Sequence, residues 1–150
     1  MTEPVLERAT AADVSEVAAM EQVCYSDPWP ESAFMGIHEN PAVHFSVARD
    51  PKGGLAGYVV AWFVADEGEI ANLAVQPGQR RRGVGRALLD AVLTDAASRG
   101  TSTLYLEVRE SNTAARELYG SRDFVEVGRR KRYYRSPQED ALILRCTLKR

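Results

Sequence analysis

The stretch QRRRGVGRALLDAVL, residues 79–93, decides how the rest of this chain is interpreted. Three consecutive arginines precede two glycines that are separated by one valine, and an apolar run with helical spacing follows them. This pattern predicts a glycine-containing loop that opens a helix over residues 83–99, with Gly100 as its C-terminal stop. Because the first N–H groups of a helix have no partner within the helix, such a loop is suited to hold an anion.

Two familiar phosphate loops fit the stretch poorly. A P-loop requires a Gly-Lys-Ser/Thr ending, and no such lysine is present. Gly83 and Gly85 match the first two glycines of a dinucleotide-binding turn, and Glu107 lies near the expected distance for its acidic residue. The position of the third glycine, however, is occupied by Leu88. Such a turn also leaves its strand directly, whereas residues 76–82 intervene here.

The third interpretation is a pyrophosphate cradle. Consecutive backbone N–H groups over residues 80–85 can point at one anion, because the two glycines remove the obstruction of a Cβ. The alternative is a solvated helix start whose arginines face water, and the local sequence leaves both open.

The segments around the stretch predict an α/β fold. Before it, short glycine-containing turns separate strands, which is typical of an antiparallel meander. After it, a strand over 103–109 alternates, and Ser111 or Asn112 caps a helix through Tyr119. We predict one domain over residues 1–150, with the order βααβββαβαββ and a mixed, mostly antiparallel sheet of six to seven strands with helices on both faces. The other predicted elements are strands at 5–8, 44–49, 55–65, 69–75 and 142–148, one strand region that includes 124–127 and 132–135, and helices after Thr10 and over 32–39.

Composition narrows the function. The 150 residues carry a net charge of -2, which argues against a protein that binds nucleic acid over its whole surface. We see neither a secretion signal nor an apolar run that could span a membrane, and we expect a cytoplasmic protein with Cys24 and Cys146 as buried thiols. His38 and His44 stand in no metal-binding or catalytic-triad pattern, so we predict no metal and assign them no role.

Several motifs together resemble a known family. Residues 80–85, RRRGVG, fit the Arg/Gln-x-x-Gly-x-Gly/Ala signature of the GNAT superfamily of N-acetyltransferases. Within it, further segments are similar to the RimI-type ribosomal-protein alanine N-acetyltransferases, and the resemblance covers nearly the whole chain. These segments are Pro28-Trp29, Leu73-Ala74-Val75, LYLEVRESNTAARELY over 104–119, the pair Tyr133-Tyr134, and Glu139-Asp140-Ala141.

The resemblance implies transfer of an acetyl group from acetyl-coenzyme A to an amine. The acceptor implied is the N-terminal alanine of a small-subunit ribosomal protein, and relatives accept other N-termini or lysines. No direct nucleic-acid or membrane partner is expected. The strand over 69–75 is implied to carry a bulge and to contact the cosubstrate through its backbone. The cosubstrate-binding positions implied are Leu73, Ala74, Val75, Arg81, Arg82, Gly83, Val84, Gly85, Arg86 and Asn112.

Two residues match the family's catalytic positions. Glu107 alternates out of phase with the apolar residues of its strand and is the candidate base that takes the proton of the amine, directly or through a water. Its alternative role is a solvent-facing glutamate paired with Arg109. Tyr119 is the candidate acid for the leaving thiolate, and its alternative role is a core tyrosine. Asn112 can cap its helix and also contact coenzyme A.

Four points stay open at this level. The basic run over 129–135 is either a solvated strand with aromatic residues at an acceptor groove or a nucleic-acid contact. Arg122-Asp123-Phe124 replaces the Leu-Gly-Phe common in the family, so the end of the preceding helix is in question, because aspartate tolerates a left-handed backbone less well than glycine. The alternative functions are acetylation of a lysine side chain or of a small amine, or binding of acyl-coenzyme A by a sensor without catalysis. Whether the loop over 26–31 closes over the acceptor stays open.

Overall fold

The computed structural model describes residues 4–80, 83–135 and 137–148, which contain one seven-stranded sheet in the order β1-β2-β3-β4-β5-β7-β6. The predicted fold class and order of elements are confirmed. The strands are β1 Val5–Arg8, β2 Val43–Arg49, β3 Leu55–Val64, β4 Glu67–Val75, β5 Thr103–Arg109, β6 Val125–Tyr134 and β7 Glu139–Thr147. The helices are α1 Val14–Cys24, α2 Glu31–Met35, α3 Val84–Ser98 and α4 Thr113–Gly120.

Strands β4 and β5 form the parallel pair in an otherwise antiparallel sheet. They pair over Glu67–Ile70 and Thr103–Leu106 and have no paired residues beyond, so the C-terminal halves of the two strands diverge. A bulge stands where they part, because Asn72 and Ile70 face consecutive residues of β3 and Ala71 between them faces none. Ligands of open α/β sheets bind at such a break, beyond the carboxyl ends of neighbouring strands.

Each face of the sheet carries its own core. Val84, Leu88 and Val92 of α3 pack on one face, while Val17 of α1 and Phe34 of α2 pack on the other. This arrangement follows from alternation, because successive strand side chains point to opposite faces. No helix in the described ranges combines the length and the apolar character needed to cross a bilayer.

Several predicted boundaries are wrong: β4 begins at Glu67 instead of residue 69, and β7 begins at Glu139 instead of residue 142. Helix α2 ends at Met35 instead of residue 39, and turns occupy 36–39. Strand β6 runs over Val125–Tyr134 and covers most of the predicted strand region that includes 124–127 and 132–135. Its register against β7 is irregular between Arg130 and Tyr134, and Arg132 has a left-handed backbone with φ 54°. This irregularity breaks the alternation by which a strand is recognised in sequence.

The end of α4 takes the form that a glycine would give it. Asp123 adopts a left-handed backbone, with φ 67°. The Phe124 N–H donates to the carbonyl of Tyr119 at 3.1 Å, which satisfies one of the last carbonyls of the helix. The replacement of the family's glycine therefore leaves the helix end in place and strains its backbone.

Candidate active site

A cavity of about 550 Å³ opens where β4 and β5 diverge. Both candidate catalytic residues line it, although Glu107 comes from β5 and Tyr119 from α4. Leu73 of β4 and Asn112 at the start of α4 also line it. The structure thus brings four of the residues singled out in the sequence to one cavity.

Glu107 presents two different carboxylate oxygens. The Arg130 guanidinium Nε lies 3.1 Å from Oε1, whereas Oε2 is buried and has no hydrogen-bond partner among the residues that the structure describes. The ion pair with Arg130 replaces the alternative pairing with Arg109, which instead pairs with Glu139 at 3.3 Å. A buried, unpaired carboxylate oxygen is costly in a fold and is suited to accept a proton from a bound ligand.

Tyr119 is a buried phenol, with a relative exposure of 7 %. Its ring meets Phe124 edge-on, with ring centroids 5.5 Å apart, so it belongs to the core and lines the cavity at once. Burial, followed by the proximity of Tyr134, raises the pKa of Tyr119 far above its usual value near ~10. The phenol is protonated at neutral pH, as an unperturbed tyrosine also is, and the raised pKa makes it a weaker acid than a solvent-exposed tyrosine.

The loop before α3 has the geometry of an anion site where it is described. Gly83 is the N-cap residue, with a left-handed φ of 80°, and a Cβ there would meet no heavy atom within 4 Å. Val84, Gly85 and Arg86 form the first turn of α3, whose N–H groups have no acceptor within the helix. Gly85 is tightly packed, since a Cβ there would lie 3.2 Å from Leu118 Cδ2. Arg81 and Arg82 lie outside the described residues.

Strand β4 directs only part of its backbone into the gap toward β5. The N–H of Gln76 donates to the carbonyl of Ala56 in β3, and by alternation the polar groups of Ala74 also face β3, while those of Leu73 and Val75 face away from it. The Leu73 carbonyl accepts from the Tyr25 hydroxyl at 2.7 Å. Of the three predicted positions, Leu73 and Val75 thus face the gap and Ala74 does not.

Asn112 has the capping role expected from its position. Its side-chain oxygen accepts a hydrogen bond from the Ala115 N–H at 3.1 Å, which fixes the first turn of α4. Because Asn112 also lines the cavity, the capping role is compatible with a ligand contact.

Aromatic side chains from three segments also line the cavity. Trp29, from the loop between α1 and α2, stacks on Trp62 of β3 with centroids 5.9 Å apart and planes at 3°. Tyr133 and Tyr134 of β6 meet edge-on at 5.1 Å. Burial, followed by the charge of Glu107, raises the pKa of Tyr134 to about 12. A second cavity of about 330 Å³ shares Trp62 and Glu107 with the first, so the candidate base lies between the two.

The cations of the basic run are partly matched by carboxylates. Arg129 contacts Glu110 at 2.6 Å and Asp140 at 2.9 Å, and Arg130 pairs with Glu107. Two of the arginines are therefore neutralised within the protein. This arrangement favours a strand that borders the cavity over a surface that collects phosphates.

Sequence reasoning missed two clusters. Glu21 of α1 is buried beside the cavity and accepts hydrogen bonds from neighbouring elements. His44 has a role after all: its Nδ1 lies 2.8 Å from Asp95 Oδ2 and its Nε2 2.7 Å from Ser46 Oγ. This Ser-His-Asp arrangement lines neither cavity, and it joins β2 to α3.

Within the described ranges, no group of three or more potential ligands could hold a metal, and Cys24 and Cys146 are free thiols.

Comparison with known proteins agrees with this geometry. Residues 14–124 match the acetyltransferase (GNAT) family. The chain is 36% identical over 137 residues to the [ribosomal protein bS18]-alanine N-acetyltransferase of Salmonella typhimurium, covering 90% of this chain and 91% of that protein. It is 40% identical over 151 residues to the N-alpha-acetyltransferase RimI of Mycobacterium tuberculosis, covering 96% and 93%. The crystal structure of the ribosomal-protein-S18-alanine N-acetyltransferase from Escherichia coli superposes with a TM-score of 0.89 at 31% identity, covering 99% of this chain and 96% of that one.

Proposed function

Because the chain belongs to the GNAT family of acetyltransferases, we propose that it transfers the acetyl group of acetyl-coenzyme A to the N-terminal α-amine of a protein. The observation that carries the proposal is the convergence of Glu107 and Tyr119 on one cavity at the point where β4 and β5 part. Binding of acyl-coenzyme A alone would need neither a base nor an acid there, which argues against a sensor.

Glu107 acts on the acceptor. An α-amine has a reference pKa near ~8, so much of it is protonated at neutral pH and must lose a proton before it attacks a thioester. Oε2 is the oxygen available to take this proton, directly or through a water, since Oε1 is paired with Arg130. The amine nitrogen then forms its bond to the thioester carbonyl carbon.

Leu73, Val75 and Tyr119 act on the acetyl donor. The developing negative charge on the carbonyl oxygen needs hydrogen-bond donors, and the N–H groups of Leu73 and Val75 face the gap. When the C–S bond breaks, the thiolate needs a proton, and the Tyr119 phenol is proposed to give it because its side chain lines the cavity and carries a proton at neutral pH. The acetylated nitrogen then gives up its second proton, which returns to the Tyr119 phenolate through water, and Glu107 releases its proton to solvent. The products are the acetylated amine and free coenzyme A.

The loop over 80–86 is assigned to the pyrophosphate of coenzyme A. The left-handed Gly83 opens space above the first N–H groups of α3, and the helix dipole adds a positive potential there. The backbone groups do this work, so the arginine side chains are secondary. Asn112, Arg81, Arg82 and Arg86 are proposed as further contacts.

The acceptor is proposed to be a ribosomal protein that begins with alanine. The support is the similarity to proteins named for alanine acetylation of ribosomal protein bS18 over nearly the whole chain. The aromatic wall of the cavity offers a confined place for a first residue with a small side chain. We place the reaction in the cytoplasm, with which the two free thiols agree.

Mass spectrometry tests the proposal. A peptide with N-terminal alanine and a matched peptide with a blocked N-terminus and one lysine are incubated separately with protein and acetyl-coenzyme A. We expect an added acetyl group on the α-amine of the first peptide. Acetylation of the lysine peptide only, or of neither peptide, would refute the proposed acceptor.

A further inference from the structure

Glu21 is a buried carboxylate that the proposed reaction does not use. Its residue is 1 % exposed, although it stands in the last turns of α1 next to the exposed Gln22 and Val23. Glutamate is almost never fully buried unless it is paired. No lysine, arginine or histidine forms an ion pair with it in the described part of the chain.

Neutral donors from three other segments satisfy the carboxylate. Asn72 Nδ2 donates to both oxygens at 2.9 Å, and the Trp29 N–H donates to Oε2 at 2.9 Å. The Tyr58 hydroxyl donates to Oε1. Because these donors stand on different segments, this one side chain joins α1 to β3, to β4 and to the loop before α2.

Two partners of Glu21, Trp29 and Asn72, line the cavity that also holds Glu107 and Tyr119. Trp29 is half of the stacked pair with Trp62, whose Nε1 lies 3.2 Å from Glu69 Oε2. Asn72 follows the bulge at Ala71 and lines the same cavity. The hydrogen bond from the Trp29 N–H ties the loop before α2 to Glu21 of α1, and the Trp29 ring packs on Phe34 as well as on Trp62.

We propose that Glu21 is a positioning residue for the acceptor: it fixes the Trp29–Trp62 wall and thereby restricts the first residue of the acceptor to a small side chain. This inference rests on the proposed function. The coenzyme A cradle at the start of α3 is made by other elements, so Glu21 should affect the acceptor and leave the cosubstrate unaffected.

Glu21→Gln tests the proposal with little change in shape. The amide presents an NH₂ group where the carboxylate accepts, so at least one donor of the network loses its partner. The matched control is Glu16→Gln, because Glu16 lies on the same helix, is exposed and contacts Arg49 only at 3.6 Å. The chain has two tryptophans, and they are the stacked pair, so near-ultraviolet circular dichroism reports on the wall without any turnover.

We expect Glu21→Gln to weaken the tryptophan signal and to raise the KM for an alanine peptide by about fivefold or more, the loss typical of one or more hydrogen bonds. The KM for acetyl-coenzyme A should stay within about twofold, a change too small to count as a lost contact. The ratio of kcat/KM for a leucine peptide to that for an alanine peptide should rise. Glu16→Gln should change none of these.

Other results would overturn the inference. An unchanged tryptophan signal in Glu21→Gln would show that Glu21 does not hold the wall. Equal rises in the KM for the alanine peptide and in the KM for acetyl-coenzyme A would show a general structural role. If Glu21→Gln does not fold, Asn72→Ala serves as the second variant, because it removes two of the hydrogen bonds and keeps the carboxylate. It must weaken the tryptophan signal and raise the KM for the alanine peptide, each by a smaller amount. If the unmodified protein acetylates no peptide, the proposed function fails, and the tryptophan signal still decides whether Glu21 positions the wall.

Discussion

Replacement of Gly83 by aspartate is expected to weaken coenzyme A binding more than replacement by asparagine at the same position. Gly83 has φ 80°, and a Cβ there would meet no heavy atom within 4 Å, so neither side chain clashes with the protein. Both tolerate a left-handed backbone better than most residues and share a cost of about 1 kcal/mol in the free energy of unfolding. The two variants therefore differ mainly by one negative charge.

The size of the difference follows from electrostatics. A unit charge about 5 Å from a phosphate oxygen at an exposed site costs about 1–3 kcal/mol, between the values for water and for a protein surface. This energy corresponds to a dissociation constant that is higher by about fivefold to 150-fold for Gly83→Asp than for Gly83→Asn. Because Gly83 is exposed, salt should shrink the difference.

Thermal melting with added coenzyme A measures this difference. Ligand at 100 times its dissociation constant stabilises a protein by about 2.7 kcal/mol, which raises the Tm of a domain of this size by about 5–10 °C. We expect the full rise for the unmodified protein, a smaller rise for Gly83→Asn and the smallest rise for Gly83→Asp. Equal affinity of all three proteins would refute the assignment of this loop to the pyrophosphate.

Three further predictions concern stability and the charge at the base. Asp123→Gly should raise the Tm by about 2–4 °C, because glycine relieves the left-handed backbone at φ 67°, whereas Ser121→Gly at φ -67° should not. Above pH ~10 the unfolded chain loses the Tyr119 proton while the folded state keeps it, so the free energy of unfolding falls as the pH rises further. Tyr119→Phe should make this fall smaller by about 1.4 kcal/mol per pH unit. Urea unfolding at a series of alkaline pH values measures the difference. Arg130→Met should lower kcat by about tenfold because Glu107 loses its orienting partner, and Arg130→Lys should restore part of it.

Each of these predictions has an opposite outcome that would contradict it. A loss of stability in Asp123→Gly would show that its aspartate makes a contact worth more than the strain. An identical alkaline fall in Tyr119→Phe would mean that this phenol is not held protonated by the fold. Unchanged turnover in Arg130→Met, with Lys131→Met as the charge-matched control, would show that the ion pair has no part in the reaction.

The elements with regular patterns were predictable from the sequence. Strand β5 was predicted with its observed bounds, 103–109, because apolar and polar residues alternate along it without interruption. Helix α3 differs from its prediction by one residue at each end, because glycines mark both of its limits. The strand region around β6 was predicted without exact bounds, because the irregular backbone near Arg132 interrupts the same alternation.

The site was predictable only where one segment carries the information. Glu107 and Asn112 stand in a single motif, which resemblance to a family identifies. Glu21 and His44 could not be found in this way, because their meaning depends on partners far along the chain: Asn72 and Asp95 are each 51 residues away. A buried glutamate and an exposed one look alike in sequence until the fold shows which donors surround them.

The most direct test of the account compares Glu107→Gln and Tyr119→Phe with the unmodified protein, using an alanine peptide and acetyl-coenzyme A from mildly acidic to mildly basic pH. Removal of a general base or acid typically costs about 10²–10⁴-fold in rate, so kcat should fall by at least about a hundredfold in each variant. Binding of coenzyme A, followed by melting, should persist in both. Turnover at the unmodified rate in both variants across this range would contradict the central claim that these two residues carry the proton transfers.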